Sequence, residues 1–145
     1  MPRPLRLRPI GSLSALLALI LLAWLARQVG VDATDAGAER IARGFAAHES
    51  GFMLTVEGEV EKLLPDDRDG SHPQRFLVRL AEGPTLLVAH HIDLAERAPI
   101  DPGDRLRLRG QYKWNERGGV LHWTHPTPGG EHPDGWIEVA GRRIE

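Results

Sequence analysis

The chain contains no cysteine, which excludes a disulfide framework, thiolate-ligated metal and a cysteine nucleophile. No Gly-framed serine, phosphate-cradling loop or dinucleotide fingerprint occurs, and serine and threonine are scarce in the last third. No internal repeat is present. Acids are absent from the first thirty residues: residues 1–30 hold four of the 18 basic residues and none of the 20 acidic ones. The remainder therefore carries a net charge of −6. An acidic domain is a poor electrostatic match for a phosphate backbone, so nucleic acid is not an expected partner.

What the N-terminus does have is a basic start and an apolar run. Arg3, Arg6 and Arg8 precede 17 uncharged residues, Ile10 to Ala26. That length is short for a spanning helix and long for a secretory h-region. Cleavage signals are poor, because Ala23 and Ala26 lack a small residue three positions earlier and Val31-Asp32-Ala33 is distant. The expected reading is an uncleaved signal-anchor in residues 1–30, with the membrane contacted through residues 10–26; a removed signal peptide is the alternative. In both cases the arginines stay in the cytoplasm and the rest is exported. The expected location is the inner (cytoplasmic) membrane, single-pass, with the C-terminal domain in the periplasm or outside the cell.

Residues 31–51 read as a linker with a short amphipathic helix. Asp35 is a candidate cap, Ala38, Ile41, Ala42 and Phe45 recur at helical spacing, and Gly51 is a candidate stop. From residue 52 to 145 the period is two. Phe52, Leu54, Val56, Gly58 and Val60 alternate with Met53, Thr55, Glu57, Glu59 and Glu61, a long strand that Gly58 allows to bend. Further strands are expected at Gln74 to Ala81, Thr85 to Ile92, Arg105 to Trp114 and Val120 to Thr124, with a last short one from Trp136 to Val139. The connector Asp93 to Pro102 has room for one or two helical turns. The fold class is all-β: a small five- to six-stranded barrel resembling the oligonucleotide/oligosaccharide-binding (OB) type, preceded by the transmembrane segment and the short helix. A small sandwich fits the strand count too; the bendable first strand favours the barrel.

Arg105, Arg107, Arg109 and Lys113 form a basic row on the outer face of the fourth strand. A groove for an anionic polymer is one reading. The other is structural: Glu57, Glu59 and Glu61 lie on the non-core face of the first strand, which pairs with the fourth in such a barrel. Cross-strand opposite charges contribute roughly 0.2–1 kcal/mol each. The structural reading is preferred.

Six of the seven histidines lie between His72 and His132. The densest group is His122-Trp123-Thr124-His125 followed by His132 and Asp134. Neutral imidazoles and a carboxylate are what zinc takes without thiolates, so a divalent-metal set of His90, His122 and His125 is the alternative to hydrogen-bonded structural imidazoles. Residues three apart face opposite ways on a strand, so His122 and His125 converge only where the strand ends near Thr124. His90 and His91 also face opposite ways, so at most one of them joins. The histidines would also make the surface pH-sensitive. Trp114 continues an apolar face and is expected in the core; Trp123 is either core or a stacking platform.

Leu64-Pro65-Asp66-Asp67 with Gly70 and Gln74-Arg75-Phe76, Ala89-His90 with Ile92-Asp93-Leu94-Ala95, and Gly110 through Gly118-Gly119-Val120 carry a resemblance. With His122-Trp123-Thr124-His125 and Asp134-Gly135-Trp136 they resemble a bacterial family catalogued as domain of unknown function 3465, over about Val56 to Arg142. The family carries no established activity, so the resemblance implies domain limits and no reaction. Pro73, His91 and Pro126 stand where the family pattern has histidine, asparagine and histidine. The resemblance therefore favours His90, His122 and His125 over His72.

The expected function is a membrane-tethered extracytoplasmic binding or interaction module, non-enzymatic, for an unidentified protein or small molecule. The expected contact residues are Arg75, His90, Asp93, Trp114, His122, Trp123, His125 and Asp134. A metal-binding protein or metal-dependent hydrolase on His90, His122 and His125 is the alternative, with the metal activating water.

Overall fold

From Phe52 to Val60 every second residue is apolar or glycine, and the backbone there is strand. A computed structural model describes residues 36–66 and 72–145. The strands are β1 (Phe52–Leu64), β2 (Pro73–Arg79), β3 (Leu86–His91), β4 (Arg105–Lys113), β5 (Val120–His122), β6 (Trp136–Val139) and β7 (Arg142–Ile144). Their order is β1-β2-β3-β5-β4, closed by pairing of β4 with β1, with β6 and β7 continuing from β4. The chain is thus mostly β, with a closed five-stranded barrel and one short helix. β3 and β5 pair in parallel, and the other pairs are antiparallel.

Closure depends on β1 serving two partners. Its first part pairs with β4, from Phe52↔Tyr112 to Glu59↔Arg105. Its end pairs with β2 beyond an irregularity between Val60 and Lys62. Gly58 sits at the bend, where a Cβ would lie 2.3 Å from Val78 Cγ1 and 2.8 Å from the Arg79 carbonyl. Inside, Val56, Phe76, Val78, Leu86, Val88, Leu108, Tyr112, Leu121 and Ile137 are fully buried. Each such aliphatic or aromatic side chain contributes about 1.5–3 kcal/mol relative to exposure. Outside, Glu57 faces Arg107 and Glu59 faces Arg105, as the charge rows suggest. Contact is looser than register: Arg107 reaches Glu57 at 4.0 Å, whereas Glu59 takes Arg79 of β2 at 2.6 Å.

Two details depart from sequence expectation, and one fills in a connector for which one or two turns were expected. β7 is an additional strand, turned back from β6 through Ala140 and Gly141, both with positive φ (49° and 76°). The connector from residue 93 makes one turn, Ala95 N–H to the His91 carbonyl at 3.1 Å, and then runs irregularly. Gln74 holds it by donating to the Ala98 carbonyl (3.0 Å) and accepting from the Ala98 N–H (2.9 Å), so a side-chain amide acts like a neighbouring strand. Third, helix α1 (36–46) ends before Gly51. His48 adopts φ 56°, and Glu49 N–H bonds the Gly44 carbonyl at 2.8 Å while His48 N–H bonds Phe45 at 3.3 Å. That is a Schellman stop with histidine in the left-handed position.

α1 buries Ala38 and Ile41, and Gly37 lies so close to β1 that a Cβ would stand 2.2 Å from the Thr55 carbonyl. Among the described residues no helix is long and apolar enough to cross a membrane. The expected membrane segment, residues 10–26, lies outside the described residues.

Candidate functional site

Because β3 and β5 run parallel, their C-terminal ends emerge on the same rim of the barrel. β3 ends in His90-His91 and β5 leads from His122 into Trp123, Thr124 and His125. The histidines divide there by strand alternation.

His90 points inward with Leu86 and Val88 and is fully buried. Its Nε2 is 2.9 Å from the Glu96 carbonyl and its Nδ1 is 2.8 Å from Thr124 Oγ1. A carbonyl only accepts, so Nε2 carries the proton and Nδ1 accepts from the hydroxyl. Burial is the main cause that lowers its pKa, with the neighbouring His125 and His91 adding to it. Both ring nitrogens are engaged, and His90 braces the connector against Thr124.

His91 points outward and joins a ring system that sequence reasoning only partly found. His91 meets the edge of His125 at 5.9 Å between centroids, and His125 meets the edge of His132 at 5.1 Å. His132 stacks on Trp123 at 4.3 Å with 5° between planes, and His122 lies 4.9 Å from Trp123 on a tilted plane. His125 donates from Nδ1 to the Pro126 carbonyl (2.8 Å) and His132 to the Pro133 carbonyl (2.9 Å). His122 Nε2 bonds Gln111 Oε1 at 3.0 Å. Desolvation, reinforced by Lys113 and by His91, His132 and His125, pushes the pKa of His122 down to about 4. Desolvation and His125 lower that of His91, against the attraction of Asp93.

Trp123 is held at φ 55°, a left-handed conformation that costs a bulky residue about 1–3 kcal/mol. Just before β6, Gly135 packs against this turn so tightly that a Cβ there would stand 1.8 Å from the Trp123 carbonyl and 2.6 Å from that of Arg109. Gly135 N–H bonds the His125 carbonyl at 3.0 Å, which closes the loop 126–135 at its base. Within the loop, Asp134 Oδ1 accepts from Thr127 N–H (2.8 Å) and Glu131 from the Thr127 hydroxyl (2.5 Å). The latter bond is the main cause lowering the Glu131 pKa. Among the described residues the Trp123 indole N–H has no hydrogen-bond partner, and no buried polar side-chain atom is left unsatisfied. The indole donor is therefore unpaired among the described residues and not sealed from solvent.

Of the residues singled out in the sequence, His122, Trp123 and His125 meet at this rim. Asp134 frames the loop, and its carbonyl accepts from Arg109 Nε at 3.2 Å. Asp93 is exposed in the turn after β3. Arg75, on β2, donates to the Pro65 carbonyl at 3.1 and 3.0 Å. Trp114 belongs to a different joint: its indole donates to the Phe45 carbonyl at 3.1 Å, and His48 packs on it at 4.3 Å. His91 and His132 were not among the expected contacts. Alternation in β3 already pointed His91 outward, but no local pattern marks His132.

Of the metal candidates, His90 has both ring nitrogens engaged in hydrogen bonds. Among the described residues no group of three His, Asp or Glu side chains is placed to hold a metal ion.

No curated protein and no solved structure matches the chain. A family match runs over residues 19–145, which takes in the whole barrel and the rim. The chain belongs to the family described as "Protein of unknown function (DUF3465)".

Proposed function

We propose that the protein is a membrane-tethered extracytoplasmic binding module that meets its ligand at the Trp123 rim. The observation that carries this is the state of Trp123: a strained backbone, a ring stacked on one imidazole and flanked by another, and an indole donor left to solvent. Aromatic faces with an unused polar handle are what binding surfaces retain. The strand order β1-β2-β3-β5-β4-β1 supports reading the barrel as OB-like, a fold whose loops and sheet face commonly bind ligands. The net-acidic domain argues against nucleic acid as that ligand. Tethering rests on the arginine-flanked apolar run of residues 10–26.

Two measurements test the reading. A benzophenone side chain at position 132, irradiated in cells, should give a discrete adduct by mass spectrometry of the purified protein, while one at position 48 should not. Equal adducts at both positions, or none at 132, would refute the rim as contact surface. A phosphatase reporter fused after Glu145 should be active outside the cytoplasm and sediment with membranes; a cytosolic reporter would refute the tethering.

A further inference from the structure

The loop 126–135 has a peculiar attachment. Its own bonds, Thr127 to Asp134 and to Glu131, are internal. Its base is fixed by Gly135 to His125 and by Arg109 to the Asp134 carbonyl. The rest of it is tied to the barrel by ring contacts: His132 on the face of Trp123 and His132 against the edge of His125, which in turn meets His91. Every one of these contacts involves an imidazole.

We propose that the 126–135 loop is a proton-released latch over the Trp123 face, held down by neutral rings and lifted when more than one of His91, His122, His125 and His132 is charged. The proposal rests on the rim being the binding surface, and adds how access to it is regulated. Neutral rings attract edge to face and face to face. Two imidazolium ions at the same spacing repel, and partial burial leaves that repulsion poorly screened. A charged His132 alone keeps an attraction for the Trp123 face. Lift therefore needs a second charge beside it, which makes the response steep.

The groups around the cluster set the balance. Lys113 on β4 faces His122 and opposes its charging. Asp93, in the turn after β3, favours a charged His91. Glu131 in the loop lies in electrostatic reach of His132, but its carboxylate already accepts from Thr127. Asp134 is engaged with the Thr127 N–H, and Arg109 with the Asp134 carbonyl. Among the described residues no rim imidazole forms an ion pair with a carboxylate, so a charged ring has no internal partner to hold it in place. The lowered pKa values of His91 and His122 agree with rings packed to be neutral.

Hydrogen exchange on the full-length chain in detergent, at about pH 7.5 and about pH 5, reads the latch without any ligand. After correction for intrinsic rates, protection of the Gly135 amide, whose bond to the His125 carbonyl ties the loop to the barrel, should fall about tenfold or more at the lower pH once the ring contacts beside it are lost, while the β4 amides paired with β1 stay protected. The double variant His91→Gln/His125→Gln keeps the His132–Trp123 stack and leaves His132 beside only His122, whose pKa near 4 keeps it mostly neutral at about pH 5, so it should lose most of this response; if it does not fold, His125→Gln alone should halve it or more. Unchanged loop protection, an equal fall in β4, or an undiminished response in the variant would each overturn the proposal. Adducts at position 132 with no pH-dependent opening would remove the latch and leave the binding surface standing.

Discussion

Two histidine–tryptophan contacts, both with centroids 4.3 Å apart, stand in this molecule with opposite polar accounting. At the α1 joint, the Trp114 indole donates to the Phe45 carbonyl and its backbone N–H bonds Ser50 Oγ at 2.8 Å. Both Trp114 donors are used, and the pair ties the helix to the barrel. At the rim, Trp123 has the same neighbour, a strained φ and an unused indole donor. Ring contact alone therefore does not separate structure from function. Whether the indole donor is satisfied does.

The comparison breaks most readily by truncation. Trp114→Ala should cost about 3 kcal/mol by urea unfolding, because it removes a half-buried ring and two joints between α1 and the barrel. Trp123→Gly should cost within about 1 kcal/mol, since glycine relieves the left-handed strain while the stack is lost. Equal losses would erase the distinction. Next in size, His90→Ala should cost about 2–3 kcal/mol by leaving the Glu96 carbonyl and Thr124 hydroxyl without their partner, against about 0.5 kcal/mol or less for His91→Ala one residue later.

A smaller effect comes with pH. His90, His91 and His122 all have folded-state pKa values below the ordinary imidazole value, His122 near 4. The unfolded chain therefore binds more protons in this range, so stability is full above about pH 6.5 and is lost as pH falls from there toward about 4. Melting temperature should decline by several degrees over that interval. His122→Gln should flatten part of the decline, and a melting curve rising with acid would contradict the assignment. Smallest of all, Glu57→Gln should change stability by about 0.5 kcal/mol or less, because its 4.0 Å pairing with Arg107 is exposed to solvent.

The barrel was legible because alternation and charge agree: the facing of the Glu57/Glu59 row and the Arg105/Arg107 row, and a bend or close approach at Gly58, were expected, while the register itself comes from the fold. β7 was not, because its turn uses Ala140 at φ 49° where the usual signal is Asn-Gly. The helix stop was misplaced for the same reason, with His48 in a conformation that sequence assigns to Gly51. At the rim, alternation put His90 with Leu86 and Val88, a core position, yet its resemblance to the family pattern drew it into the candidate site. His132 sits in a Pro/Gly-rich stretch without periodicity, so only folding of that loop reveals its stack on Trp123.

The most direct test places the two indoles side by side in one experiment. The Trp114 and Trp123 indole N–H resonances can be followed by NMR while the domain is titrated with a panel of neutral sugars, aromatic fragments and peptides. Expected is a ligand that shifts the Trp123 resonance together with His122 and His132 and leaves Trp114 unmoved. Shifts confined to Trp114 or to the β1–β4 face, with Trp123 silent throughout, would contradict the rim as the binding surface.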